Sequence, residues 1–135
     1  MPARSRPAVR ILFRVAAGPR TGYGHLIRAT VVGQALGVRP VVSLRGQAEA
    51  RATARRLGCR LVTGSAATLM RSRQPGLVVI DDPSAVAATR FCRAVQREGV
   101  RVASIHDLGL AHCGADLAID GSIVREIVRD PIAAA

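Results

Sequence analysis

The chain contains no lysine and no tryptophan, one tyrosine, two phenylalanines and three cysteines. Each shortage excludes something. Without lysine there is no G-x-x-x-x-G-K-[ST], so P-loop ATPase chemistry is out. All twenty basic residues are arginine, which we read as codon bias in a GC-rich genome, since no functional demand for guanidinium would clear every surface position of lysine. Phe13, Tyr23 and Phe91 form no stacking ladder, and the arginines are spread from Arg4 to Arg129 without a run longer than two. The net charge of +11 is therefore expected to attract polyanions non-specifically, without marking a dedicated nucleic-acid domain. Cys59, Cys92 and Cys113 are odd in number and lack C-x-x-C spacing, so no disulfide framework is expected and a reducing cytoplasm suits them. Long apolar runs are also missing. Ile11, Leu12 and Phe13 are interrupted by Arg14 and followed by Gly18 and Pro19, too short for an export signal or a membrane span.

Apolar residues make up 49% and charged residues 21% of the 135 positions, the balance of one globular domain whose core is built from Val, Leu, Ile and Ala. Residues 1–9 read as a loose, flexible basic lead-in, and 10–135 as the domain. Apolar runs at 10–17, 41–44, 59–62, 77–80, 100–105 and 117–119 predict strands. Helices are predicted over 24–36, 47–57, 66–72 and 84–98. The first has Leu26, Ala29, Val32, Gly33 and Leu36 on one face, and the last has Ser84 as its N-cap with Pro83 in its first turn. Strand and helix alternate, which predicts an α/β fold: a three-layer, Rossmann-like parallel sheet of strands buried on both faces.

Ligands of such sheets bind beyond the carboxyl ends of the strands. Four polar clusters fall there: 18–25, then Leu44, Arg45 and Gly46, then Asp81, Asp82 and Pro83, then His106 and Asp107. The first reads as a strand entering a glycine-bearing loop that opens a helix. Helix-start amides lack internal partners and carry positive potential. Gly22 and Gly24 permit a tight turn and close approach. His25 supplies a side chain able to exchange a proton near neutral pH. Ile27 stands where G-x-G-x-x-G requires its third glycine, so a dinucleotide-binding Rossmann domain is not expected. His106, His112 and Cys113 fit no zinc spacing, and neither metal nor cofactor is expected. Cys92 is expected in the core, and Arg51, Arg55 and Arg56 on a solvated helix face. Asp81 and Asp82 also admit a purely local role, capping the helix that follows.

Gly22-Tyr23-Gly24-His25-Leu26-Ile27-Arg28 resembles the G-x-G-H-x-x-R opening of the UDP-sugar hydrolases of pseudaminic acid biosynthesis, relatives of the GT-B glycosyltransferases. Leu77-Val78-Val79-Ile80-Asp81-Asp82 resembles that family's strand ending in Asp. Val102-Ala103-Ser104-Ile105-His106-Asp107-Leu108 is similar to its next strand, with His-Asp in place of Asp-Asp. Cys113-Gly114-Ala115-Asp116-Leu117-Ala118-Ile119-Asp120 is similar to its following segment. The resemblance spans 11 to about 123 and implies the N-terminal lobe of a GT-B fold.

It also implies an activity, hydrolysis of UDP-2,4-diacetamido-2,4,6-trideoxy-β-L-altropyranose with release of UDP. His25 would be the catalytic acid/base and Asp81 would orient the sugar or its water. Gly22, Tyr23, Gly24, Arg28, His106 and Asp107 would contact the substrate. Family members carry a second lobe, and this chain stops where the connection to it is expected. A complete site therefore calls for a second-lobe protein or another copy of the chain. The competing readings are a non-catalytic module that binds a sugar or a partner, and a basic nucleic-acid-associated domain.

Overall fold

The computed structural model describes residues 9–107 and 113–121. The elements are β1 (Ile11–Ala16), α1 (Gly24–Ala35), β2 (Val41–Arg45), α2 (Ala48–Arg56), β3 (Arg60–Val62), α3 (Ala66–Arg73), β4 (Leu77–Asp81), α4 (Ala85–Arg97), β5 (Arg101–His106) and β6 (Leu117–Asp120). The strands form one sheet in the order β3-β2-β1-β4-β5-β6, and every neighbouring pair is parallel. The order reverses between β1 and β4, so the loops leaving these two strands flank the crevice at which such sheets take ligands. The expected three-layer Rossmann-like α/β fold is therefore observed. The lead-in at 1–8, His112, and everything beyond Gly121 lie outside the described residues.

Side chains alternate across the pleat and build two cores. On one face Phe13, Val15, Val42, Val79, Ala103 and Ile105 pack against Leu26 and Ala29 of α1 and Ala50 and Ala54 of α2. On the other, Leu12, Val78, Ile80 and Val102 pack against Leu69 and Met70 of α3 and Phe91, Cys92 and Val95 of α4. Cys92 is fully buried, as expected. Arg14 departs from the apolar pattern in the middle of β1. It donates to Ser43 Oγ at 2.9 Å and lies 4.5 Å over the Phe91 ring. Burial lowers its pKa, with Asp82 acting in the opposite sense.

Caps explain the helix bounds. Ser65 and Ser84 accept from the Thr68 and Ala87 amides, both at 3.2 Å, fixing the starts of α3 and α4. Pro83 consequently lies outside α4, ahead of the cap. Leu36 corrects the expected buried stripe of α1. It is the C-cap, 55% exposed, because Gly37 at φ 68° turns the chain out of the helix before Leu36 can face the sheet.

Candidate functional site

β4 ends in two consecutive aspartates, and the pleat sends them to opposite faces of the sheet. Asp81, 2% exposed, faces α1. Its Oδ1 lies 2.7 Å from His25 Nδ1, while Arg28 grips it with both arms of the guanidinium, Nε to Oδ2 at 2.6 Å and Nη2 to Oδ1 at 2.7 Å. His25 and Arg28 are one helical turn apart at the start of α1, so a single helix end delivers both to one carboxylate.

Arg28 reaches further, donating from Nη1 to Asp107 Oδ1 at 2.8 Å. The contacts with Asp81 and Asp107 raise the Arg28 pKa, and Arg28 in turn holds the Asp107 carboxyl below its ordinary value. A carboxylate only accepts, so the 2.7 Å contact requires a proton on His25 Nδ1. Nε2 is then the ring nitrogen left for a ligand, and an acceptor whenever the ring is neutral.

Asp82 faces the opposite way and is clamped in parallel fashion. Arg45, from the end of β2, donates to it through Nε and Nη2, both at 2.7 Å. Burial of Asp82 opposes ionisation, but Arg45 and the Ser84 amide at 2.9 Å outweigh it, and its pKa is lowered. Of these two aspartates only Asp82 contacts the start of α4, through the Ser84 amide, and the cap itself is Ser84.

A cavity of about 310 Å³ lies between these groups and the start of α4. His25, Asp81, Asp82, His106 and Asp107 stand around it, over a floor that includes Ile80 and Ser104. The Ser104 hydroxyl is buried, 4% exposed, and has no hydrogen-bond partner among the described residues. An orphan hydroxyl on a cavity floor is suited to a ligand or an ordered water. Cys113 also lines the cavity. Behind it, burial and then the neighbouring Cys113 push the Cys92 thiol up to about 12, which removes it as a nucleophile at neutral pH.

The structure thus gathers His25, Arg28, Asp81, His106 and Asp107 in one place. It sets the other expected residues apart. The Gly22 amide is taken by Gly18 O at 2.6 Å, closing a small turn in which Gly22 holds φ 77°. That turn borders a separate cleft formed by residues 17–21 together with Arg45, Gly46 and Gln47. Gly24 is the first residue of α1. Tyr23 packs against the core on the α1 and α2 face with its hydroxyl buried, and it is not among the side chains lining the cavity around His25.

Two members went unread in the sequence, and Arg45, placed at this edge by its cluster, lacked its partner. Ser104 is a lone polar residue inside an apolar strand, a signal that was present. Arg45 gave no local sign of its pairing with Asp82. Gly121 donates its amide to His106 O at 2.8 Å, and a Cβ there would collide with the Arg28 guanidinium.

Against known protein families, curated proteins and solved structures, the chain finds no match.

Proposed function

We propose that this domain is a GT-B-type lobe of a nucleotide-sugar hydrolase similar to the UDP-2,4-diacetamido-2,4,6-trideoxy-β-L-altropyranose hydrolases, and that it presents the sugar-side half of the site. The observation that carries the reading is the His25–Asp81 contact of 2.7 Å, locked by Arg28, at the mouth of a cavity on the carboxyl edge of the sheet. Asp81 fixes the imidazole's tautomer and aims Nε2, so it is a positioning residue behind His25. In hydrolysis His25 Nε2 accepts a proton from the attacking water, whose oxygen bonds to the sugar. The electron pair of the broken bond leaves on UDP. Carboxylates, imidazoles and a free hydroxyl around an otherwise apolar cavity suit the hydroxyls of a neutral sugar.

One observation favours the second reading, a sugar- or partner-binding module without turnover. Around the cavity three carboxylates, Asp81, Asp82 and Asp107, meet two guanidiniums, Arg28 and Arg45. Among the described residues these groups leave no positive excess to neutralise a departing diphosphate, and in the hydrolase reading a second lobe or a second copy supplies those contacts. The experiment is UDP release from a panel of UDP-sugars by the purified chain, with His25→Ala beside it. Turnover in the parent that is abolished in the folded variant supports the hydrolase. Equal turnover in both removes His25 from the mechanism. Saturable sugar binding without UDP release selects the binding module.

A further inference from the structure

The opposite edge of the sheet, where the strands begin, carries a second cleft of about 380 Å³ with a different chemistry. Arg10, Arg39, Arg60 and Arg73 all line it, and among the described residues no carboxylate does. Arg10 and Arg39 come just before β1 and β2, Arg60 opens β3, and Arg73 ends α3. A parallel sheet aligns its strand starts, so residues far apart in the chain meet here. Arg39 donates to Gly58 O at 3.0 Å. None of the four has an ion-pair partner among the described residues, whereas Arg28, Arg45 and Arg71 each reach a carboxylate.

The helix dipole accounts for Arg73, which sits in the last turn of α3. It does not account for Arg10, Arg39 and Arg60, which belong to strands and loops. Four like charges around one concave space repel one another, and a multivalent anion there would convert that repulsion into binding. Guanidinium forks match phosphate oxygens two at a time. The remaining lining includes Val38, Val41 and Pro75 and no aromatic ring, so the cleft offers nothing on which nucleobases stack.

We propose that this cleft binds the phosphate groups of a small, multiply phosphorylated molecule, at a site separate from the His25 cavity and independent of whether that cavity is catalytic. The test is calorimetric titration of the full chain with inorganic tripolyphosphate at about 0.15 M salt, where contacts between exposed charges farther apart than about 8 Å are screened. The variant is Arg39→Glu with Arg60→Glu. Its control is Arg51→Glu with Arg55→Glu, the same charge change on the exposed face of α2. Circular dichroism checks that both fold, and the milder Arg39→Gln with Arg60→Gln serves if the first does not.

The expected result is saturable one-to-one binding, weakened roughly tenfold or more in the cleft variant and within about twofold of the parent in the control. Three results overturn the proposal: no saturable binding at that salt, equal weakening in both variants, or binding of a short single-stranded RNA with none of tripolyphosphate.

Discussion

The two edges of the sheet differ in how they treat charge. At the carboxyl edge Asp81, Asp82 and Asp107 are each held by a guanidinium, with contacts of 2.6–2.8 Å. At the amino edge four arginines share a cleft with no acid among its described lining residues. The first arrangement is closed upon itself and fixes side-chain positions, which suits a site that must hold His25 in one orientation. The second is open and lacks its counter-charge, which suits capture of an anion. The net charge of +11 conceals this division, because most of the carboxylates near a ligand cavity sit at one end. A basic chain is thus not a uniformly basic surface.

The contrast can be broken most forcefully at Asp81. Asp81→Ala leaves Arg28 without its main partner, and we expect a loss of about 3 kcal/mol in chemical denaturation, the low end for a broken buried pair because Arg28 is partly solvated. A loss below about 1 kcal/mol would mean the clamp does not act as a structural unit.

Acid comes next, on the order of 2 kcal/mol from the charge-assisted bonds of Asp82. The Asp82 and Asp107 carboxyls are held below their ordinary value of 3.8. A depressed folded-state pKa means the stabilisation is complete above the unfolded value and disappears as pH falls through the folded one. Melting temperature should therefore carry this pair's full contribution, flat with pH, above about pH 5 and decline as pH falls below 3.8. Arg45→Gln should move the onset of that decline, whereas neutralising Arg39 should not.

Gly121→Ala sharpens the comparison by moving Arg28 without removing any charge. Overpacking of this kind costs about 1–2 kcal/mol, and the matching observation is a changed His25 imidazole resonance in NMR spectra. An unaltered spectrum would show that Arg28 does not position the ring. The smallest effect belongs to the other edge. Arg39→Gln with Arg60→Gln should alter stability by no more than about 0.5 kcal/mol, and any gain should shrink as salt is added. A large loss there would show that the arginines are structural.

Much of the fold was legible because a strand buried on both faces reads as a solid apolar run. Leu77 to Ile80, bounded by Gly76 and Asp82, is the clearest case. Ser84 marked its helix start correctly. Leu36 misled because the apolar spacing was followed into the C-cap position, where Gly37 at positive φ already turns the chain away from the sheet.

The site was half legible. Strand ends converge in a parallel sheet, so His25, Asp81 and Asp107 could be gathered from order alone. The fork from Arg28 to Asp107 spans 79 residues of sequence and depends on an arginine long enough to cross from α1 past β4. Gly121 acts through the side chain it lacks, which no spacing rule registers. The arginine cleft was missed for another reason. Strand starts converge as strand ends do, but Arg10, Arg39 and Arg60, at or just before the starts of β1, β2 and β3, are lone members of a set of twenty arginines and carry no local signature.

The paired aspartates closing β4 bear on the assembly of the sheet as well as on its chemistry. Because they point to opposite faces, each finds its arginine only when β4 lies at one setting along β1. Sliding the strand by one residue either way would turn Asp81 toward the α4 core, bringing Ile80 under the Arg28 guanidinium in one direction and taking Asp82 away from Arg45 in the other. The dipeptide works as a key with two opposed teeth, and β4 can seat between β1 and β5 in a single register.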